Sequence, residues 1–170
     1  MRLEFENLCL RTATPKDAVQ LAAWWNDGAV MAHAGFPNGL GTTEQRVAAA
    51  LREGNLMIEE NSCPIGEANY RMKDENTAEI GIKICVPSCQ NRGAGRKILS
   101  MLIRYLFDSG VNKIVLDTNL TNERAQHVYE SLGFEKLRVN IDSWVDQLGR
   151  RQSSVDYALV ERNFVDFTRK

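Results

Sequence analysis

The string Gln90-Asn91-Arg92-Gly93-Ala94-Gly95-Arg96-Lys97 has the residue types and the spacing of a backbone cradle for phosphate groups. Gly93 and Gly95 leave amides that no side chain shields, and Arg92, Arg96 and Lys97 add positive charge beside them. If a helix begins here, its first N–H groups lack acceptors within the helix and the summed peptide dipoles leave partial positive charge at that end. A pyrophosphate is then held mainly by backbone. Better-known phosphate loops are excluded by spacing: no G-x-x-x-x-G-K-[ST] string occurs, and a dinucleotide fingerprint needs a third glycine where Ile98 stands. Neither a nucleoside triphosphatase nor a nicotinamide enzyme is expected. Glycines with basic neighbours also suit a plain surface turn, so the flanking elements must decide.

Before the loop, Ala78, Ile80, Ile82, Ile84 and Val86 recur at period two, the pattern of a strand with one apolar face, and Pro87 ends it. After it, Ile98, Leu99, Leu102, Ile103, Leu106 and Phe107 recur at helical spacing. The glycines therefore mark a strand-to-helix junction. Further out, a strand over 8–13 precedes a helix over 15–26, with Pro15 and Asp17 in its first turn and Ala18, Leu21, Ala22 and Trp25 on one face. A Gly/Pro-rich stretch from Gly28 to Gly41 leads to a second helix opened by Thr42-Thr43-Glu44-Gln45, in which Thr42 and Gln45 fit a capping box. Strands near 55–60, 65–73 and 77–86 read as an antiparallel meander, its tightest connection at Asp74-Glu75-Asn76. A strand near 112–118, a helix near 122–132 and a closing strand pair near 134–145 and 152–162 complete the order.

The string Gln90-x-Arg92-Gly93-x-Gly95 resembles the acyl-CoA pyrophosphate loop of the GNAT N-acetyltransferase superfamily, [QR]-x-x-G-x-[GA], with the leading glutamine and both glycines in place. Downstream, Asn122 to Phe134 resembles that superfamily's N-x-x-A-x-x-x-Y-x-x-x-G-F signature at every key position. Upstream, Thr14-Pro15-Lys16-Asp17 and Pro64-Ile65-Gly66-Glu67 are similar to its capped first helix and the start of its third strand. Trp24-Trp25-Asn26-Asp27 and Tyr157-Ala158-Leu159-Val160 are similar to segments of the branch that holds ribosomal-protein alanine acetyltransferases. The resemblance implies an α+β fold, with a mixed, mostly antiparallel sheet of about seven strands, splayed at the acetyl-CoA site and flanked by about four helices.

It also implies roles. Acetyl-CoA would be the co-substrate, its pantetheine arm pairing with the strand edge at Ile84, Cys85 and Val86 and its pyrophosphate resting on Gln90, Asn91, Arg92, Gly93, Ala94, Gly95, Arg96 and Lys97. Asn122 would contact that arm, cap its helix, or both. Tyr129 takes the family's acid position, though its apolar stripe with Ala125, Val128 and Leu132 equally fits a core tyrosine. Glu79 resembles a glutamate that some members use as general base; a solvated carboxylate that only attracts a cationic substrate fits as well. Trp24, His33, Phe36, Asp142 and Trp144 are the candidates for the acceptor end, with Trp25 read as core and Trp24 as less constrained. Asp142 and Trp144, two apart on one strand, would place a carboxylate beside an indole, which suits a cationic amine.

The expected activity is transfer of an acetyl group to a primary amine, of a protein N-terminus or a small molecule, by direct attack on the thioester. Polyamines and aminoglycosides stay open as acceptors. The alternative from another class is a non-catalytic acyl-CoA sensor, against which the presence of both Glu79 and Tyr129 speaks.

Composition bounds the rest. A chain of 170 residues, 44% hydrophobic and without a linker or repeat, reads as one domain over 1–170. A net charge of -1 gives no global field for nucleic acid or an anionic membrane. No run approaches the ~20 apolar residues of a membrane span, and Met1 to Glu6 lacks a signal-peptide layout, so a cytoplasmic protein is expected. Cysteines 9, 63, 85 and 89 show no C-x-x-C pairing and the histidines are only His33 and His127, so reduced thiols and no metal site are expected. Cys85 reads as a small side chain tolerated near a ligand rather than as a nucleophile. Oligomeric state is open, a homodimer included.

Overall fold

The computed structural model describes residues 1–169. In chain order the strands and helices are β1 (Arg2–Phe5), β2 (Leu8–Thr12), α1 (Ala18–Trp25), α2 (Gly28–Met31), α3 (Glu44–Ala50), β3 (Asn55–Glu60) and β4 (Cys63–Met72). They continue as β5 (Thr77–Ile84), α4 (Ala94–Asp108), β6 (Lys113–Asn119), α5 (Glu123–Ser131), β7 (Glu135–Val145) and β8 (Arg151–Val160). One sheet takes all eight described strands in the order β1-β2-β3-β4-β5-β6-β8-β7. Every pairing is antiparallel except that of β5 with β6. The eighth strand, against about seven expected, is β1, a four-residue edge strand beside β2 that is too short for its alternation to stand out in sequence.

The sheet is covered on both faces, and β3 shows why its residues read as a continuous apolar run. Leu56 and Ile58 pack under α4, while Met57 between them packs with Leu21, Trp24 and Val47 beneath α1 and α3. The principal core joins Ile80, Ile98, Leu99, Leu102, Ile103, Leu106, Ile114, Leu132 and Tyr157. At the predicted tight connection, the Asp74 carboxylate accepts the N–H groups of Asn76 at 2.9 Å and Thr77 at 2.8 Å. The Asn76 carbonyl in turn accepts the N–H groups of Asn112 and Lys113, at 2.9 and 3.1 Å, which pins the start of β6 to the start of β5.

Two local expectations change. Thr43, not Thr42, caps α3: its hydroxyl accepts the Arg46 N–H at 3.3 Å, while the backbone of Thr42 is held at both ends by the Asn26 amide. The tryptophans also exchange roles. Trp24, 8% exposed, belongs to the core beneath α1, whereas half-buried Trp25 turns its indole N–H to the Glu67 carboxylate at 2.9 Å. On a helix the third and fourth residues after Leu21 are equally its neighbours, and the partner available to an indole N–H decides which ring moves to the rim.

Arg11 on β2 ties the first helical turn to the sheet through both oxygens of Asp17, each at 2.8 Å, and through Glu59 at 2.8 Å. The guanidinium bonds, working against burial and aided by the Thr14 N–H, hold the Asp17 carboxyl down at about 2. Because that value lies below the unfolded one, the stabilisation is present above pH ~4 and is lost as pH falls through about 2. Asp17→Asn is therefore expected to cost about 2 kcal/mol at pH 7, with the difference from wild type shrinking between pH ~4 and ~2. Urea unfolding across that range is the measurement.

Candidate active site

Although β5 runs to Ile84 and β6 to Asn119, their parallel pairing stops at Thr77↔Lys113, Ala78↔Ile114 and Glu79↔Val115. Beyond Glu79 the strands part, and a cleft of ≈ 1200 Å³ opens between them. The Cys85 N–H bonds the Ile65 carbonyl of β4 at 2.9 Å and the Thr77 carbonyl accepts Lys73, so odd-numbered residues of β5 turn their backbone towards β4. By alternation, the polar groups of Ile82 and the N–H of Ile84 face the gap, an unpaired edge that suits a strand-like ligand arm. The Ile84 carbonyl is already taken by the Gln90 side-chain amide at 2.9 Å. The N–H groups of Cys85 and Val86 both serve the Ile65 carbonyl, at 2.9 and 3.1 Å. The free edge therefore sits about two residues earlier than expected, over 82–84, and Val86 lies outside the cleft wall.

At the mouth, Gly93 is the N-cap of α4 with φ +83°, and Asn91 before it also has positive φ. Among the described residues, a Cβ built on Gly93 or Gly95 meets nothing within 4 Å beyond its chain neighbours and the backbone of its own helix. Gly93 owes its identity to its backbone. Gly95 does not: its conformation is ordinary, nothing crowds it, and a helical glycine costs roughly 0.5–1 kcal/mol relative to alanine. The space above it fits a group pressed against the amides of residues 94–96, and the first intrahelical bond is a long one, from the Lys97 N–H to Gly93 at 3.4 Å. Of the three basic side chains, Arg92 is paired to Glu60 at 3.3 Å and Lys97 to Glu6 at 2.6 Å, and neither lines the cleft. Arg96 lines it and has no carboxylate partner among the described residues. Gln90 spans the mouth, since its carbonyl oxygen accepts from Arg124 of α5 at 2.8 Å. Asn122 caps α5 through the Ala125 N–H at 3.2 Å and also lines the cleft.

Deeper in, Tyr129 is 5% exposed, with its ring against Phe134 and Tyr157 at 5.9 Å each, and it lines the cleft. Burial, then the negative charge of Asp117, pushes the phenol up to about 12, so it keeps its proton at neutral pH. Asp117 itself was not legible as a site residue. Register places it opposite Asp156 of β8, and its carboxylate lines the cleft without an ion-pair partner among the described residues. Although Asp117 is exposed along the open cleft, the protein packed around its carboxylate displaces part of its water and raises its pKa, and the charges of Glu79 and Asp156 raise it further. Its signal in sequence was a lone carboxylate closing the apolar run Ile114-Val115-Leu116. Glu79, by contrast, lies outside the cleft wall, bound by Arg71 directly across on β4 and by Lys73 at 3.9 Å. As the last paired residue before the gap it faces the neighbouring strand's cations rather than the opening. The Cys85 thiol is pushed up to about 12, chiefly by burial, and is no thiolate nucleophile.

At the acceptor end, His33 and Trp144 line the cleft; Trp24, Phe36 and Asp142 do not. Between Asn140↔Ser154 and Trp144↔Gln152, residues 141–143 of β7 oppose only Ser153, and this bulge breaks the alternation that would have turned Asp142 inward. Asp142 takes φ +50° and donates its N–H to the Ser153 hydroxyl at 2.9 Å, and Ser143 lines the cleft instead. Phe36 is exposed. The Trp144 ring covers Gly35, where a Cβ would sit 2.4 Å from it. Gln147 fastens the β7–β8 turn to the same loop, donating its N–H to Gly35 at 2.8 Å, accepting from Asn38 at 2.9 Å and donating its side-chain amide to Gly39 at 2.9 Å. Unforeseen members of this wall are Asp27, Lys83, held by Glu67 at 3.0 Å, and Arg138, paired with Asp156 at 3.1 Å.

Comparison with known proteins accords with this geometry. Residues 7–135 match the acetyltransferase (GNAT) domain, a span that holds both the phosphate loop and the Asn122 to Phe134 signature. The L-amino acid N-acyltransferase MnaT of Escherichia coli is 34% identical over 118 residues, covering 66% of this chain and 64% of that protein. A [ribosomal protein bS18]-alanine N-acetyltransferase of Haemophilus ducreyi is 30% identical over 73 residues, covering 43% of this chain and 50% of that one. The chain thus spans less than two thirds of either relative's length. Among solved structures, YncA of Salmonella typhimurium, determined with its cofactor acetyl-CoA, is similar with a TM-score of 0.73 and 26% identity, over 91% of this chain and 94% of that one. With a family match over most of its length, on a sheet that opens between β5 and β6, the chain belongs to the GNAT acetyltransferase family.

Proposed function

We propose that the protein, acting as a single catalytic domain, transfers the acetyl group of acetyl-CoA to the α-amino group of an amino acid or of a peptide N-terminus. The observation that carries the amine is Asp117, a carboxylate in the cleft wall that has no ion-pair partner among the described residues and is set opposite a second one. Like charges facing across a ladder repel, and a bound ammonium group relieves that. MnaT by its name acts on L-amino acids and the Haemophilus ducreyi enzyme on an alanine, and both acceptors carry an amine on the carbon next to a carbonyl or carboxylate. Lys83, on the cleft wall and held there by Glu67 at 3.0 Å, presents an ammonium group whose remaining donors an acceptor carboxylate or carbonyl would meet.

Asp117, its affinity for protons raised, takes a proton from the ammonium group. The freed nitrogen attacks the thioester carbonyl carbon. A C–N bond forms, the C–S bond breaks, the nitrogen sheds its second proton to water, and the electron pair leaves on sulfur. Tyr129 then supports the thiolate with a hydrogen bond. Full transfer from a phenol at about 12 to an ordinary thiol near ~8.5 is uphill by roughly 5 kcal/mol, so the proton that ends on sulfur comes from solvent. Since a hydrogen bond to a charged group contributes about 1.5–3 kcal/mol, Tyr129→Phe is expected to lower kcat/KM by about 10- to 100-fold with little change in acetyl-CoA affinity. Steady-state kinetics with calorimetry separates the two.

The whole reading is tested by following free-thiol release from acetyl-CoA with L-amino acids, an alanyl peptide and spermidine as acceptors. Release is expected with the first two. Bound acetyl-CoA that no amine discharges would overturn it.

A further inference from the structure

After β8 the chain turns at Glu161–Asn163 and runs back along α4 towards its N-terminus. Gly133, with φ +95°, makes the passage possible, since a Cβ there would lie 1.9 Å from the Asn163 carbonyl oxygen. The Val165 N–H then bonds the Leu132 carbonyl at 2.9 Å. Along α4 the contacts fall on one stripe at four-residue spacing. Arg104 meets Glu161 at 3.0 Å, the Phe164 ring at 5.1 Å and Asp166 at 3.6 Å. Ser100, fully buried in mid-helix, accepts the Phe167 N–H on its hydroxyl at 3.0 Å. Arg96 closes the stripe, its guanidinium 4.9 Å from the centre of the Phe167 ring.

Arg96 stands in the first turn of α4 and lines the cleft, and among the described residues it alone of the loop's basic side chains has no carboxylate to neutralise it. A flexible arginine loses entropy when a ligand fixes it, and an aromatic face that already holds the guanidinium removes part of that cost. Taking the cleft as the acetyl-CoA site proposed above, we propose that the C-terminal segment is part of the cofactor site: Phe167 is a positioning residue that holds Arg96 against a phosphate of the bound coenzyme. The segment's anchoring to Ser100 and Arg104 fixes the ring, and the ring fixes the cation.

The test is calorimetry with acetyl-CoA and with S-acetylpantetheine, which lacks the phosphates, on wild type, Arg96→Ala, Phe167→Leu, Phe167→Tyr and the Arg96→Ala/Phe167→Leu pair. Leucine keeps apolar bulk where the ring was, and a thermal melt for each variant reports any loss of fold. Arg96→Ala should weaken acetyl-CoA binding about tenfold and flatten its salt dependence. Phe167→Leu should weaken it about threefold and flatten it likewise, Phe167→Tyr should restore it, and the pair should be no weaker than Arg96→Ala alone. Binding of S-acetylpantetheine should be unchanged throughout. Additive losses in the pair, or equal losses with S-acetylpantetheine, would reduce the segment to a structural strap and overturn the inference. So would wild-type affinity in Arg96→Ala. Failure of the wild type to bind acetyl-CoA would instead remove the functional reading on which the inference rests.

Discussion

Gly95→Leu is expected to make the protein more stable and nearly unable to bind acetyl-CoA. Glycine in a helix gives up more backbone entropy on folding than other residues, and at position 95 neither an unusual φ nor a close neighbour compensates for it. Leucine, a strong helix former, should add about 0.5 kcal/mol and raise the melting temperature by about 1–2 °C. The same side chain would fill the space over the amides of residues 94–96. Losing even two charge-assisted hydrogen bonds costs about 3 kcal/mol, or roughly 100-fold in affinity. Stability and binding moving in opposite directions is the signature that separates a ligand-imposed glycine from a fold-imposed one. The control is Gly93→Leu, which should lose stability by about 1–2 kcal/mol because φ is +83° there. Thermal melts and calorimetry on both variants suffice. Unchanged acetyl-CoA affinity in Gly95→Leu would remove the cradle from the proposed mechanism.

That contrast also marks how far the sequence could be read. Alternation in 78–86 and helical spacing after Ile98 located β5 and α4, because each reports one buried face and the junction between them was punctuated by glycine and proline. Asn122 was legible for the same reason, being tied to local geometry: it caps α5. What depends on distant partners was not legible. Glu79 looked like a cleft carboxylate until register set Arg71 against it. Asp142 was turned outward by a bulge that needs β8 as reference. Trp24 and Trp25 were exchanged by Glu67, forty-two residues away on another strand. Asp117 escaped notice because, on a strand read as buried, only the parting of β5 from β6 reveals that its carboxylate has a cleft to face.

Asp117→Asn should lower kcat/KM at pH 7 by about 100-fold, the lower end of what a positioned general base contributes. Asparagine keeps the shape and some of the hydrogen bonding but can neither take the proton nor attract the ammonium group. The pH profile distinguishes those two losses. On the proposed mechanism wild-type activity requires the charged carboxylate, so it should fall on the acid side as Asp117 is protonated, at a pH lifted by partial desolvation and by the charges of Glu79 and Asp156. In the variant that limb should vanish, and the rate should instead follow the fraction of free amine in solution, rising about tenfold per pH unit until the acceptor's own pKa near ~8. The gap between the two proteins should therefore narrow as pH rises. A deficit that stays constant from acid to alkaline pH would mean that Asp117 holds the substrate without accepting its proton. A variant within twofold of wild type at pH 7 would take it out of the reaction, and the search for the base would move to a water held between the Asp156 and Asn119 side of the wall. Glu79→Gln is the companion measurement: with its carboxylate committed to Arg71 and Lys73, its removal should move the wild-type acid limb slightly lower by taking away one negative charge near Asp117, and leave the limb in place.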